Sequence, residues 1–489
     1  MMKLFVQGPI GHYEFENLAR MFFSPVQMML PETGGPLRPK KTDGDAIYVR
    51  LGGREQPAAG ARLLTALCTG GSTALMTGRL SAPDKAEYEL CRMLYRLLCE
   101  STGRRPPWGM LTGVRPVRLI HNALAAGVSV DEACEQLKEK YDVSDTKLDL
   151  AKQTALIQRP WVENVEPRDY SLYVSIPFCP SRCSYCSFVS RTIENSRELV
   201  QPYVETLCRE LEAISQQAQR LGLHLKTVYM GGGTPTSLSA LQLRTVMQCI
   251  RDFFPLEEAL EYTVEAGRPD CTDAEKLRVI RDLGADRISI NPQTFQDSVL
   301  QHIGRRHSAQ DILECYRIAR EVGHKNINMD LIAGLPSDTV DGFFRTLQQV
   351  LTLRPENVTV HTLTLKRASN LVIEERTEDY GDVAAMTARC TALTDAGYHP
   401  YYLYRQKGTL QNLENTGFCL PGAEGLYNIY IMEELHSIFS AGAGGVTKLK
   451  LPDRHKIERI FNFKYPMEYV RDFDSILTRK QGVDDFYGS

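Results

Sequence analysis

The chain of 489 residues is longer than one ordinary domain and has room for two or three. Hydrophobic residues make up 43% of it, which is enough for packed cores and excludes an intrinsically disordered chain. The net charge of -3 argues against a broad nucleic-acid-binding surface, while leaving room for a local basic pocket.

Cysteine usage and apolar patterning predict the compartment. The 13 cysteines are scattered irregularly, which is typical of a reducing cytosol rather than of a disulfide framework. The apolar run after Met1 is too short for a signal peptide, and no stretch reaches the ~20 apolar residues of a membrane span. We therefore expect a cytoplasmic protein that does not insert into a membrane.

Residues 1–165 are predicted to form a separate α+β domain. The apolar patterns predict strands at 3–6 and 46–51, and helices at 13–23, 84–101, 130–141 and 145–156. The polar, proline-containing stretch 159–169 is predicted to be the linker to the next domain.

A constrained turn at 106–118 contains Trp108, one of two tryptophans in the chain. A packed turn anchored by Trp108 is the favoured interpretation. A binding loop that offers Arg115 and Arg118 to an anion remains the alternative.

From residue 166 to 370, strand-like and helix-like segments alternate. The predicted strands lie at 171–176, 226–230, 260–266, 287–292, 327–333 and 357–365. The helices between these strands begin with capping signals, which are Ser239 with Gln242 and Thr272 with Glu275. Six such repeats predict parallel strands with right-handed crossovers, in a partial (β/α)6 barrel whose chemistry lies at the carboxyl ends of the strands.

Three cysteines follow the first of these strands with the spacing C-x3-C-x2-C: Cys179, Cys183 and Cys186. Thiolates are the usual protein ligands of iron–sulfur clusters, and electron-transfer [4Fe-4S] clusters normally have four. Ser187 and Phe188 come next, so the loop offers no fourth thiolate. A cluster with one open iron is favoured over a zinc site, which would need a fourth ligand, or over plain burial.

Polar features stand at the ends of the later strands. The second strand ends in Gly231-Gly-Gly-Thr-Pro-Thr236, where the backbone can approach a ligand closely and turn its N–H groups toward an anion. The third ends at Glu265, the fourth runs into Gln293, Arg305 opens the following segment, and the fifth contains Asp330. Any one of them could be a satisfied structural group, but their recurrence at successive strand ends predicts one site.

Residues 371–489 are predicted to be a C-terminal subdomain that covers the substrate. The aromatic and basic run Tyr401-Tyr-Leu-Tyr-Arg-Gln-Lys407 fits plain core and a ligand wall equally well.

The cysteine, glycine and Asp-Leu-Ile-x-Gly-Leu-Pro motifs together closely resemble the radical S-adenosylmethionine (SAM) superfamily, and within it the oxygen-independent coproporphyrinogen III oxidase family. That resemblance covers about residues 171–450, and the turn at 106–118 resembles a HemZ-like subgroup. It implies an α/β fold: a radical-SAM partial (β/α)6 barrel with an N-terminal α+β domain and a C-terminal α/β extension.

The resemblance also implies cofactors and their ligands. In the superfamily SAM chelates the open iron of a [4Fe-4S] cluster and is cleaved to methionine and a 5′-deoxyadenosyl radical. The better-known members of the family bind two SAM molecules in one site. By matching position, the cluster would be held by Cys179, Cys183 and Cys186. SAM would be contacted by Tyr173, Tyr185, Gly232, Gly233, Thr234, Glu265, Gln293, Arg305 and Asp330. The residues implied to have a catalytic role are Tyr173, Glu265 and Arg305.

The implied reaction is oxidative decarboxylation of coproporphyrinogen III propionates to vinyl groups, giving protoporphyrinogen IX in haem biosynthesis. An electron donor such as flavodoxin or ferredoxin would be a partner. The four carboxylates of the substrate call for cations, and the candidates by position are Lys366, Arg367, Arg405 and Lys407.

The chain also departs from the family pattern. The oxidases have a further cysteine where this chain has Phe188, and a histidine where it has Ser175. Related haem chaperones, like this chain, have phenylalanine at the position of Phe188. Their haem-ligating histidine, however, aligns with Tyr427, so this chain lacks it. Two alternatives stay open: another radical SAM reaction on a tetrapyrrole, such as methyl transfer or ring opening, and haem binding for delivery.

Overall fold

The structure is a computed structural model that describes residues 1–23, 25–30, 37–39, 44–53, 56–188, 190–374, 376, 378–451 and 456–488. These residues form two compact units, one comprising 1–116 and 123–150 and the other 117–122 and 151–489. Within the described ranges, every helix is too short or too polar to cross a bilayer. The predicted division into three parts at residues 165 and 370 stays a prediction.

The first unit contains a five-stranded sheet with the order β2-β1-β3-β4-β5. Strand β1 pairs in parallel with β2 and β3, and the remaining pairs are antiparallel. Its elements, with α3 and α5 extending past the division between the units, are β1 (Met2–Gln7), α1 (Tyr13–Arg20), β2 (Val26–Met29), β3 (Ala46–Leu51), β4 (Arg62–Thr69), β5 (Ser72–Arg79), α2 (Ala86–Thr102), α3 (Pro116–Ala125), α4 (Val130–Tyr141) and α5 (Asp145–Glu163).

Every helix and strand predicted in this unit is present, although β2, β4, β5 and α3 were not predicted. Trp108 is 1% exposed, and the next residue, Gly109, has a φ of +55°. A Cβ at Gly109 would lie 1.9 Å from the carbonyl oxygen of Tyr141, so the turn needs glycine. The packed-turn interpretation fits this geometry. Arg118 donates to the carbonyl oxygen of Glu433 at 2.9 Å.

The second unit contains a sheet with the strand order β14-β15-β13-β12-β11-β10-β9-β6-β16-β17-β18. Its strands, with the short pair β7–β8, are β6 (Asp169–Ile176), β7 (Phe178–Cys179), β8 (Arg191–Thr192), β9 (His224–Gly232), β10 (Glu261–Glu265), β11 (Arg287–Ser289), β12 (Asn326–Ala333), β13 (Asn357–Thr362), β14 (His399–Arg405), β15 (Glu414–Cys419), β16 (Ser437–Ala441), β17 (Val446–Leu449) and β18 (Glu458–Phe461). Its helices are α6 (Arg197–Arg220), α7 (Ala240–Phe253), α8 (Ala274–Asp282), α9 (Asp297–His302), α10 (Ala309–Val322), α11 (Val340–Leu353), α12 (Asn370–Ile373), α13 (Val383–Ala388), α14 (Thr391–Asp395), α15 (Leu426–Glu433), α16 (Pro466–Arg471), α17 (Phe473–Lys480) and α18 (Gly482–Gly488).

Six consecutive strands of this sheet, β6 and β9 to β13, are parallel to one another and alternate with helices. They coincide with the six predicted strands within a few residues, so the prediction of a partial (β/α)6 barrel is confirmed. The strand β16 extends the sheet in parallel beside β6, and antiparallel β15 and β14 extend it beyond β13.

Two sequence predictions need correction here. The predicted linker at 159–169 begins inside α5, which continues to Glu163 although it contains Pro160. The cap of α8 is Asp273, whose side chain accepts from the N–H of Lys276. Thr272 instead donates to the carbonyl oxygen of Arg268 at 2.9 Å, which occupies its hydroxyl. The predicted capping box of α7, formed by Ser239 and Gln242, is present.

A buried carboxylate supports the strand that leads to the cysteines. Glu210 on α6 is 0% exposed and accepts at Oε2 from the Gly442 N–H at 2.7 Å and from the Tyr469 hydroxyl at 2.6 Å. Its Oε1 lies 3.1 Å from the Lys480 ammonium. The turn after Gly442 contacts Ser175 in β6, whose hydroxyl donates to Ala443. The C-terminal helices are thereby tied to the end of β6.

Candidate active site

A cavity of ≈ 350 Å³ opens at the carboxyl ends of the parallel strands. Its size lies within the range of small-molecule sites. The predicted site residues that line it are Cys179, Cys183, Cys186, Tyr185, Gly232, Gly233, Thr234, Glu265, Gln293, Arg305 and Asp330. The structure thus brings the cysteine loop together with residues of β9, β10 and β12 and with two residues that follow β11 and α9.

The cysteine loop is anchored through its own backbone and by neighbouring side chains. Cys179 ends β7, and its sulfur lies 3.6 Å from the Thr234 hydroxyl. The N–H of Ser184 donates to the Ile303 carbonyl oxygen at 3.0 Å. Arg268 Nη1 donates to the sulfur of Cys183 at 3.5 Å.

The glycine motif allows the cysteine loop to pack against β9. Cβ atoms at Gly232 and Gly233 would lie 2.9 Å from the Ser175 hydroxyl oxygen and 2.5 Å from the Phe178 carbonyl oxygen. The N–H of Gly233 donates to the carbonyl oxygen of Ile176 at the end of β6, and the N–H of Thr234 donates to that of Phe178 in β7. The sequence had suggested that these two N–H groups face a ligand anion. They do not, because they bind the backbone that leads into the cysteine loop.

Glu265 lies at the end of β10 and is partly exposed to the cavity. Its Oε1 accepts from the Tyr229 hydroxyl at 2.6 Å. The pKa of Glu265 is raised to about 7, chiefly by burial. The hydrogen bond from Tyr229 and the charge of His361 act to lower this pKa, whereas the charge of Asp330 acts to raise it. A carboxylate that titrates near neutral pH can bind a cation or hydroxyls in its charged form.

Two buried polar atoms on the cavity wall are unsatisfied. Among the described residues, neither Gln293 Oε1 nor Arg305 Nε has a hydrogen-bond partner. Gln293 has a φ of +66°, and its backbone bridges to β12 through the Asp330 carbonyl oxygen at 2.9 Å. Arg305 donates to the Asn291 carbonyl oxygen at 2.5 Å and to the Tyr185 hydroxyl at 3.3 Å. Unsatisfied buried atoms at a cavity are expected where a polar ligand completes them.

Asp330 is the second carboxylate of the cavity. Burial alone would raise its pKa, but hydrogen bonding and charge interaction with His361 outweigh it and the pKa is lowered. Asn328 Nδ2 donates to Asp330 Oδ1 at 2.7 Å, and His361 Nε2 lies 3.8 Å from Oδ2. At neutral pH Asp330 is therefore charged, whereas Glu265 changes its charge in that range.

Several predicted residues lie outside the cavity lining. Tyr173 stacks with Tyr229 and Tyr427 at ring distances of 6.2 and 6.3 Å, and Tyr229 lines the cavity in its place. Its contact with SAM stays a prediction. Of the four candidate substrate cations, Lys366 lines the cavity, while the three others do not: Arg367, Arg405 and Lys407.

The sequence reasoning missed Tyr229, Arg268, Asn328 and His361, which all line the cavity. A signal existed for Asn328, because Asn326, Asn328 and Asp330 alternate with apolar residues and so share one face of β12. Tyr229 and His361 carried no comparable signal, since their neighbours in the chain gave no reason to choose them. The aromatic run at 401–407 combines the two predicted roles of core and ligand wall. Tyr401 is fully buried, whereas Tyr402 and Tyr404 line the cavity.

The fold and this site define a radical SAM protein, and the family description "Radical SAM superfamily" matches residues 173–350. The chain is 38% identical to the oxygen-independent coproporphyrinogen-III oxidase-like protein HemZ of Bacillus subtilis, over 82% of this chain and 83% of the relative. It is 32% identical to the haem chaperone HemW of the same organism, over 65% and 82%. The chain belongs to the HemN/HemZ-like family of radical SAM proteins.

A solved structure agrees at the level of the fold. Coproporphyrinogen III oxidase (HemN) from Escherichia coli, described as a radical SAM enzyme, superposes with a TM-score of 0.51 at 23% identity and covers 66% of this chain and 72% of that one. Membership of the superfamily makes a [4Fe-4S] cluster and SAM the cofactors of this protein. The three thiols, the glycine-packed loop and the unsatisfied cavity atoms fit these groups.

Proposed function

We propose that the protein oxidatively decarboxylates the propionates of coproporphyrinogen III to vinyl groups and so forms protoporphyrinogen IX. The observation that carries the proposal is one continuous cavity with the three cysteines and Lys366 in its lining. A cluster site and a site for an anionic substrate therefore share one space. The similarity to HemZ supports the same reaction class.

In this proposal the cluster is held by Cys179, Cys183 and Cys186, and SAM lies against Glu265, Gln293 and Arg305. When bound, these cofactors supply one-electron chemistry that removes a hydrogen atom from a substrate carbon. Two of the four propionates would each then lose carbon dioxide and pass one further electron to an electron acceptor, which leaves a vinyl group. A second SAM, if bound, would occupy the same cavity, and a small reducing protein such as flavodoxin or ferredoxin would supply electrons.

The chain's own residues have defined tasks. Arg305 offers its unsatisfied Nε to a polar group of SAM, because that N–H has no partner among the described residues. Glu265 accepts from the ribose hydroxyls and favours the sulfonium charge when it is ionised. Tyr402 and Tyr404 provide an aromatic wall against which a macrocycle can pack. Lys366 pairs with a propionate.

The second candidate function is haem binding for delivery, and the similarity to HemW favours it. The aligned position of the chaperones' ligating histidine is Tyr427 here. Its ring is buried, with its centroid 4.5 Å from that of Tyr229, and Tyr427 does not line the cavity. Haem would therefore need a different ligand, which makes decarboxylation the stronger proposal.

Product analysis tests the two functions. The reconstituted protein is incubated anaerobically with reductant, SAM and coproporphyrinogen III, and tetrapyrroles are identified by mass spectrometry. We expect vinyl products together with 5′-deoxyadenosine. Methylated or ring-opened products would point to another radical SAM reaction, and haem transfer without SAM turnover would replace the proposal with the delivery function.

Two neighbouring cations provide a matched control for the substrate end. Lys366 and Arg367 are both exposed, but only Lys366 lines the cavity. Lys366→Gln should raise the KM for the porphyrinogen a few-fold, in the range of one exposed ion pair. Arg367→Gln should leave it unchanged. Equal effects of the two variants would remove Lys366 from the proposed site.

A further inference from the structure

A cysteine and a histidine face each other at one end of the β14–β15 hairpin. His399 begins β14 and Cys419 ends β15, and they are direct partners in the antiparallel register. Partners of this kind have their side chains on the same face of the sheet, with Cβ atoms about 5 Å apart. The sulfur of Cys419 lies 3.3 Å from Nε2 of His399.

A tight turn after β15 brings a carboxylate to the same nitrogen. Gly422 has a φ of +79°, and its N–H donates to Glu424 Oε1 at 3.3 Å. That oxygen lies 2.9 Å from Nε2 of His399. The sulfur, the nitrogen and the carboxylate oxygen all lie within 4.8 Å of one another.

Both partners approach the same ring nitrogen, which decides between two kinds of chemistry. In a nucleophilic Cys-His-acid arrangement the thiol and the carboxylate use opposite nitrogens of the imidazole. Here Cys419 and Glu424 both converge on Nε2 of His399. Three donor atoms of different type around one point form a ligand set for a metal ion rather than a catalytic triad.

This cluster lies outside the cavity lining, which includes none of His399, Cys419 and Glu424. Cys419 pairs with Asn357, the first residue of β13, and on that strand the cavity lining begins at Thr359, two residues further on. Two residues of strand span about 7 Å at ~3.3 Å per residue. The cluster therefore lies at the amino end of β13, near the cavity but outside its lining.

Asn357 offers a further oxygen in the same row of the sheet. It is 0% exposed, and its Oδ1 has no hydrogen-bond partner in the part of the chain that the structure describes. Directly opposed residues share a face of the sheet, so Asn357 stands on the same face as Cys419 and His399. An unsatisfied buried oxygen beside three convergent ligands is a second indication of a missing cation.

We propose that His399, Cys419 and Glu424 bind one zinc ion. Thiolate, imidazole and carboxylate are the ligand types of zinc, and three protein ligands leave a fourth position for water or for Asn357 Oδ1. The thiolate and carboxylate charges balance the charge of the ion. Arg287 lies beside this turn but already donates to the Tyr401 hydroxyl and the Ala423 carbonyl oxygen. The ion ties the hairpin to the turn that precedes α15.

Zinc and iron are measured together in full-length protein with its cluster reconstituted, after exposure to zinc and removal of weakly bound metal. We expect about one zinc beside about four irons per chain. X-ray absorption at the zinc edge should show one sulfur at about 2.3 Å with nitrogen and oxygen at about 2.0–2.2 Å. Zinc misplaced in the cysteine loop would instead show three sulfurs.

His399→Gln and Glu424→Gln should each lose the zinc while keeping the four irons, which shows that the variants fold. The matched control is His224→Gln, because His224 stands with Glu166 and Asp169 in another histidine–carboxylate group. It should retain the zinc. Absence of zinc from the wild-type holoprotein, or zinc that persists in His399→Gln with three sulfur ligands, would overturn the proposal.

Discussion

Two inward-facing glutamates of the second unit, Glu210 and Glu265, behave in opposite ways. Glu210 is fully buried, and both of its oxygens are occupied by Lys480, Asn462, Tyr469 and the Gly442 N–H. Glu265 has one close side-chain donor, the Tyr229 hydroxyl, and borders the cavity.

The difference separates structure from function. A buried charge that is fully hydrogen-bonded is locked in place, and removing it leaves its partners unpaired. A carboxylate with spare acceptor capacity at a cavity still has interactions to offer to a ligand. Gln293 Oε1 and Arg305 Nε, which also border the cavity, likewise have no hydrogen-bond partner in the part of the chain that the structure describes. Loss of Glu210 should therefore affect folding, and loss of Glu265 should affect binding.

The largest expected effect belongs to the cavity side of this comparison. Cys183→Ala should abolish cluster assembly and SAM cleavage, because a cluster with an open iron has only three thiolates to hold it. Iron and sulfide analysis with visible spectroscopy provides the measurement. Cys315→Ala, a buried cysteine outside the cavity lining, should keep about four irons. Stoichiometric zinc without visible absorbance in the wild type would contradict the cluster assignment.

The next effect lies on the structural side. Glu210→Ala should destabilise the protein by about 3–5 kcal/mol, because it leaves the buried Lys480 ammonium uncompensated. Denaturant unfolding measures the loss. Glu212→Ala, on the exposed side of the same helix, should change stability by no more than about 0.5 kcal/mol. Equal stability of the two variants would remove the structural role.

At Glu265 we expect a smaller effect, and on SAM affinity rather than on stability. Glu265→Gln should retain the cluster while raising the Kd for SAM roughly ten-fold, since a hydrogen bond to a charged group is worth about 1.5–3 kcal/mol. Titration of the reconstituted variant is the measurement. Unchanged SAM affinity with lowered stability would assign Glu265 to the same class as Glu210.

The smallest effect is a pH dependence. Because the pKa of Glu265 is raised to about 7, its carboxylate becomes charged as the pH rises through neutrality. SAM affinity should increase a few-fold from about pH 6 to about pH 8 in the wild type and stay flatter in Glu265→Gln. The protonated form is favoured in the fold, so the stability that it contributes is fully present below about pH 4.5 and is lost as the pH rises from there through about 7. A SAM affinity that falls as the pH rises in this range would contradict the assignment.

The six parallel strands and the placement of three cysteines on one loop could be predicted from the sequence, because both depend on local patterns. Alternation of apolar segments defined the strands, and a spacing of a few residues brought Cys179, Cys183 and Cys186 onto one loop. Polar residues at strand ends, such as Glu265 and Asp330, followed from the rule that parallel strands present their carboxyl ends on one side.

Only the tertiary structure decided how distant residues meet. It placed Tyr229 rather than Tyr173 on the cavity, joined Lys480 to Glu210 over 270 positions of chain, and set Cys419 against His399. It also gave the N–H groups of Gly233 and Thr234 to the backbone that leads into the cysteine loop instead of to a ligand. Local sequence determines backbone conformation and periodicity, whereas hydrogen-bond partners, burial and pKa depend on neighbours that only the packed sheet brings into contact.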